Sequence, residues 1–198
     1  VRSIGGLAAM TSTSHTRATA RTAEAMERIE VETGERADVV GMVQGDEPLI
    51  STEAIAETLD HFNDPAIEIV NIMSRLSTYE QFIDKNNVKV VVNRHNDALY
   101  FSREPIPSPW RGFENIPMYM QTGIIAFRHD ALLRFNQMDE TQLEQIESVD
   151  MNRVLETGGR IRMVLTQATT IGVDTPQELK DAEKLMNDDP TLARYLTQ

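Results

Sequence analysis

The chain has 198 residues, enough for one domain with a core of its own. Hydrophobic residues make up 40% and charged residues 25%, the composition of a globular protein rather than a disordered or fibrous one. A formal net charge of -12 argues against non-specific binding to nucleic acid or an anionic membrane, and the lack of cysteine removes disulfides, thiol nucleophiles and cysteine metal sites and fits a cytoplasmic setting. No apolar run is long enough for a transmembrane helix. A phosphate-bearing substrate would need local cations or a metal to offset the repulsion.

In chain order, Arg2, Ser3 and Ile4 before Gly5 and Gly6 read as a helix end running into a turn, so the chain reads as beginning inside a domain. Residues 7–10 predict a short strand and residues 11–16 a polar loop. From Thr19 the pattern turns helical: Ala20, Ala23, Met26 and Ile29 recur on one side, and Gly34 closes the helix. His15, Arg17, Thr19 and Arg21 then sit on a strand-to-helix turn, where hydroxyls, backbone N–H groups and two arginines can hold an anion. The same string also serves as an N-cap with a solvated positive face.

Residues 39–43 form an apolar run stopped by Gln44, Gly45, Asp46, Glu47 and Pro48. It predicts a buried central strand of a parallel sheet covered on both faces. Ligands of such sheets bind beyond the carboxyl ends of the strands, where Gln44 to Glu47 fall. Gly45 allows a close approach to the backbone, and Asp46 offers a carboxylate to a hard cation such as Mg²⁺. A polar turn after a core strand explains the same residues. Ser51 or Thr52 caps a helix that runs to Phe62.

Residues 67–73 predict a strand and residues 77–82 one helical turn. Residues 87–93 and 98–102 flank the turn Arg94, His95, Asn96, Asp97, a hairpin signature that makes the sheet mixed. Residues 103–110, rich in proline, predict an ordered loop over the sheet. Residues 119–127 predict another strand, with Gly123 marking a bulge or a close backbone approach. Helices follow over residues 129–135 and 142–157, the second amphipathic with Ile146, Val149 and Val154 on one face. Residues 162–166 predict a strand, and Thr175 and Pro176 open a last helix to residue 187. His61, His95 and His129 have no partner pattern and are expected in solvent.

Asp46 and Asp174 each follow an apolar strand, so their carboxylates can converge beyond one sheet edge and hold Mg²⁺ with phosphate oxygens. Asp174 serves equally as a cap before the last helix. Arg103, just past a strand, can pair with a carboxylate or phosphate through its planar fork. Gln121 and Thr122 can donate to a sugar hydroxyl. There is no zinc-ligand spacing, no nucleophile elbow and no Gly-x-x-x-x-Gly-Lys loop.

Taken together, Met10-Thr11-Ser12 with His15, Val43-Gln44-Gly45-Asp46-Glu47-Pro48, Val88-Lys89-Val90-Val91, Leu99-Tyr100-Phe101-Ser102-Arg103, Gly123-Ile124 and Gly172-Val173-Asp174-Thr175-Pro176 resemble the 3-deoxy-manno-octulosonate (Kdo) cytidylyltransferases. The likeness runs from Ser3 to about Met186. It implies a single three-layer α/β/α nucleotidyltransferase domain, its sheet mixed but mostly parallel with a hairpin extension. It further implies a homodimer, Mg²⁺, and transfer of CMP from CTP to a Kdo-type acid sugar with release of pyrophosphate. Residues 87–118 are expected to form the hairpin subregion and a dimer contact. By position, the resemblance assigns Mg²⁺ to Asp46 and Asp174. It assigns the cytidine nucleotide to Gln44, Gly45 and the segment carrying His15, Arg17, Thr19 and Arg21. The acid sugar falls to Arg103, Gln121 and Asp150.

The family's opening strand and its phosphate loop are not in this sequence, so the chain as given is expected to be inactive and an upstream-extended one active. Arg17-Ala18-Thr19-Ala20-Arg21 stands where the family has Ser-Gly-Thr-(Asp/Glu)-Arg. Gln121 replaces a histidine of the sugar site, and Asp150-Met151 replaces a Glu-Gln pair. A non-catalytic nucleotide- or sugar-binding relative, or an inactive fragment, is the alternative reading.

Overall fold

The structure is a computed structural model that describes residues 1–166, 172–173 and 175–187. Six strands form one sheet: β1 (Val39–Val43), β2 (Ile69–Arg75), β3 (Lys89–Val92), β4 (Ala98–Ser102), β5 (Tyr119–Arg128) and β6 (Arg162–Leu165). Its order is β4-β3-β5-β2-β6, with β1 also paired to β5. Seven α-helices accompany it among the described residues: α1 (Ala18–Thr33), α2 (Thr52–Asp60), α3 (Tyr79–Ile83), α4 (His129–Gln137), α5 (Gln142–Glu147), α6 (Met151–Glu156) and α7 (Pro176–Asn187).

Alternation along the inner strands builds the three layers. On one face Ile69 and Met73 of β2 and Ile125 and Phe127 of β5 pack with Ala23 and Met26 of α1, Leu132 and Phe135 of α4, and Met151 and Val154 of α6. On the other face Ile72 and Ile124 pack on Ala54 of α2, and Val70 and Ala126 pack on Phe62 and Ile67, which follow that helix. Helix starts follow the local chemistry. The Ser51 hydroxyl accepts from the Ala54 N–H at 3.0 Å, Thr78 and Gln81 form a capping box, and Thr175 and Glu178 exchange bonds at 2.7 and 3.2 Å. Gly34, at φ 73°, ends α1 with its N–H on the Glu30 carbonyl.

Several expectations are corrected. The sheet is mixed as expected, but it is mostly antiparallel: among the described residues only β2 and β6 run parallel. Consequently β1 is no central strand; among the described residues it pairs on one side alone, antiparallel to β5, and only Met42 of its five residues is buried. Residues 7–10 form no strand. The helix expected over residues 142–157 is two helices, because Ser148 adopts φ 52° and turns the chain between α5 and α6. Ile146, placed on the buried face by periodicity, is therefore 67% exposed, while Val149 and Val154 are buried. His129 is 8% exposed rather than solvated, its ring set among Glu30, Arg36 and Asp130.

The hairpin of β3 and β4 does not project beyond the sheet. Its turn curls back to the opposite end, where Ala98 donates to the Ile161 carbonyl, Met163 donates to the Asn96 carbonyl and Arg162 pairs with Asp97 at 2.8 Å. Val88, Val90, Ala98 and Phe101 thus enter the main core.

Candidate functional site

The carboxyl end of β1 and the N-terminus of α1 form the back of a cavity of about 350 Å³. Arg17, Gln44, Asp46, Arg103, Gln121 and Asp150 line it. A second hollow of about 420 Å³ adjoins it and brings in His15, Arg21 and Gly45; Arg17, Gln44 and Asp46 belong to both. The structure thus gathers every described candidate except Thr19 around two joined hollows. Asp174 lies outside the described residues. Its predecessor Val173 donates its N–H to the Asp46 carbonyl at 2.9 Å.

A bulge in β5 fixes the Asp46 turn. The register slips between Asn71 and Met73, and the fully buried Asn71 amide spans the gap by donating to the carbonyls of Ile72, Thr122 and Ile124 at 3.2, 3.2 and 2.8 Å. Gly123, at the bulge, donates to Glu47 Oε1 at 2.8 Å and accepts from the Gln44 N–H at 3.2 Å. A Cβ at Gly123 would stand 3.0 Å from Glu47 Cγ and 3.1 Å from Gln44 Cβ, so the close approach expected from sequence is present and needs glycine.

Asp46 Oδ1 is buried and accepts no hydrogen bond from any described residue. A buried carboxylate oxygen without a donor is costly unless a cation or ligand serves it. It is a hard oxygen, the donor type that Mg²⁺ takes from one or two carboxylates beside substrate phosphates. Among the described residues no group of three or more histidines or acids gathers to hold a metal unaided. The Asp46 oxygen therefore fits a cation that a ligand's own oxygens also serve. Gln121 Oε1 is likewise buried without a described partner.

The other candidates carry structural duties as well. Arg17 reaches Ser148 Oγ at 3.3 Å. Thr19 is buried and donates its hydroxyl to Asp150 Oδ2 at 2.8 Å. Lost hydration pushes the Asp150 carboxyl above its usual range, against the pull of Thr19 and Arg17. Arg21 braces the preceding loop through Thr11 Oγ1 and the carbonyls of Ser12 and His15. His15 pairs with Glu24. Glu24 also accepts the Ser12 N–H, and that bond, then His15, holds its carboxyl down at about 2. Gly45 is exposed in the second hollow, with open space where a Cβ would stand.

The sequence leaves Arg103 free; in the structure it is fixed. Its Nε donates to the Glu147 carbonyl at 2.9 Å, and its terminal nitrogens donate to the carbonyls of Lys85 at 2.9 Å and Ser148 at 3.4 Å. Sequence reasoning missed the supports behind this wall. Lys89 is fully buried and donates to the carbonyls of Asp84, Asn87 and Arg103. Burial depresses its ammonium, against the pull of Asp84 and Glu104. Asn71 had a legible signal, an amide inside an apolar strand that must find partners. Glu147 had none, because its partners lie more than forty positions away.

The sequence profile of the cytidylyltransferase family matches residues 1–162. A 3-deoxy-manno-octulosonate cytidylyltransferase of Geobacter metallireducens is 41% identical over 197 residues, covering 93% of this chain and 75% of its own. One from Thermodesulfovibrio yellowstonii is 37% identical over 195 residues, covering 94% and 76%. Among solved structures, CMP:2-keto-3-deoxy-manno-octonic acid synthetase complexed with CTP superposes with a TM-score of 0.82 at 37% identity, over 95% of this chain and 75% of that one. A protein described as a glucose-1-phosphate thymidylyltransferase from Bacillus anthracis shares the fold alone, at TM-score 0.53 and 16% identity, over 82% and 59%.

Proposed function

The chain belongs to the cytidylyltransferase family, and from that premise we propose that it transfers CMP from CTP to a Kdo-type acid sugar and releases pyrophosphate. The observation that carries this reading is Asp46 Oδ1, buried and without a described donor where the two hollows join. The hollow with His15, Arg17, Arg21 and Gly45 takes the nucleotide, and Gln44 faces it from just past β1. The hollow with Arg103, Gln121 and Asp150 takes the sugar. The sugar's anomeric hydroxyl attacks the α-phosphorus; a new P–O bond forms, the bond to the β-phosphate oxygen breaks, and the hydroxyl proton is lost.

Asp46 and Asp174 would hold Mg²⁺, which when bound supplies charge neutralisation for the triphosphate. The contact of Val173 with the Asp46 carbonyl supports that pairing. Arg17 sits where it can neutralise further phosphate charge, and Arg103 can take the sugar's carboxylate. The protein's contribution is positioning and electrostatics, as is usual for phosphate-group transfer. Among the described residues no helix is long and apolar enough to cross a membrane, and the reading places the protein in the cytoplasm as a homodimer.

The test is pyrophosphate release from CTP and Mg²⁺ with a panel of acid sugars that includes Kdo and its 8-amino analogue. It is run on this chain and on one extended upstream to the length of its relatives. Sugar-dependent release by either supports the reading, and release by neither removes it.

A further inference from the structure

Behind Arg103 stands one residue that holds it at two points. The Glu147 carboxylate accepts the Arg103 backbone N–H at 2.9 Å, and the Glu147 carbonyl accepts Arg103 Nε at 2.9 Å. The same carboxylate takes the Tyr100 hydroxyl at 2.9 Å and the Ser102 hydroxyl at 2.8 Å, tying the end of β4 to the end of α5. No carboxylate oxygen of Glu147 is bonded to the guanidinium itself. A guanidinium has five N–H donors. Three of these bind carbonyls, which leaves two without a partner among the described residues and available to a ligand in the cavity that Arg103 lines. The next residue, Ser148, turns in the left-handed region and accepts from both Arg103 and Arg17. Its carbonyl therefore joins the cavity's two arginines to the corner that carries Asp150.

We propose that Glu147 is a positioning residue for substrate: it aims the Arg103 guanidinium at the carboxylate of the acid sugar. The proposal rests on the cytidylyltransferase reading above and names the partner of that site's carboxylate. Burial opposes ionisation of Glu147, but the Arg103 N–H and the two hydroxyls outweigh it, so the carboxyl lies below its usual range and works as a pure acceptor at neutral pH. A glutamine keeps the shape but turns an NH₂ toward one of these donors.

The variants are Glu147→Gln and, as a milder disturbance of the same cluster, Tyr100→Phe with Ser102→Ala. Each is assayed with the acid sugar and with its carboxamide, which lacks the charge. The expected result is a rise of about tenfold in KM for the acid sugar with KM for CTP within about twofold, because a small misplacement of a positioning group is costly. The preference for acid over amide falls by a similar factor. Exchange of the Arg103 Nε–H with solvent, followed by NMR, becomes faster in the variants. Equal losses on acid and amide, or an Arg103 Nε–H as protected as before, would overturn the proposal. If Glu147→Gln does not fold, the double variant decides. If no acid sugar is turned over at all, the substrate reading falls, and Arg103 exchange still decides what Glu147 does.

Discussion

At the scale of single residues, the proposed reaction centres on Asp46 Oδ1, a buried carboxylate oxygen with no donor among the described residues. Replacing that oxygen therefore removes no described hydrogen bond. Asp46→Asn is expected to leave thermal stability unchanged and to lower the rate of pyrophosphate release by about a hundredfold or more, the scale typical for loss of one electrostatic group at a reacting phosphate or carbonyl. Steady-state rates beside a melting curve check it; full activity in the Asp46→Asn variant would take Asp46 out of the metal site. Asp46 stood out in the sequence because it follows an apolar strand and precedes a turn, and the structure puts it on the wall of both hollows. The residues alone read Gln121 as a donor to a sugar hydroxyl, with strand-edge pairing as the alternative, whereas Asp150 enters only through resemblance; the structure lines the cavity with both. Thr19 lies outside both hollows, and its hydroxyl is bonded to Asp150.

Elements were legible where one period dominates and obscure where a single backbone angle decides. The helix α1 announced itself by Ala23, Met26 and Gly34, and all three keep their expected roles in the core and the cap. The break between α5 and α6 did not, because a serine at φ 52° carries no signature in the hydrophobic pattern. The direction of strand pairing was also hidden: an apolar run such as β1 looks alike in parallel and antiparallel settings. The corner after α5 is secured instead by a buried ion pair. Arg153 grips Glu144 with two bonds of 2.6 Å, donates to the carbonyls of Phe135 and Met138, and lies 4.5 Å over the Phe135 ring. Glu144 is fully buried, so Glu144→Ala leaves an uncompensated buried cation. The expected loss is about 3–5 kcal/mol, read from urea unfolding, with a smaller loss when Arg153 is replaced by methionine in the same chain. A loss under about 1 kcal/mol for the single variant would mean that water reaches Arg153.

For the whole molecule, the site exists because distant parts of the chain close on one sheet edge. The hairpin curls across the sheet to β6, which carries Arg103 and the loop before β3 to the same rim as the Asp46 turn and the corner after α5. That curl buries Val88, Val90, Ala98 and Phe101, so a dimer contact there would use what remains outside: Leu99 on the edge strand β4 and Trp110 in the proline-rich loop, 57% and 90% exposed. Light scattering at micromolar concentration is expected to give a dimer mass, and Leu99→Glu with Trp110→Glu to give a monomer; a wild-type monomer would set the homodimer aside. The central claim is that the two joined hollows are the sites of nucleotide and sugar, with Asp46 between them. The measurement that addresses it most directly is a crystal structure of the protein with CTP, Mg²⁺ and an acid-sugar analogue that lacks the attacking hydroxyl. The predicted result is an ion about 2.0–2.1 Å from an Asp46 carboxylate oxygen, the phosphates between Asp46 and Arg17, and the sugar carboxylate on Arg103. Phosphates bound away from Asp46, or a sugar carboxylate that does not reach Arg103, would contradict it.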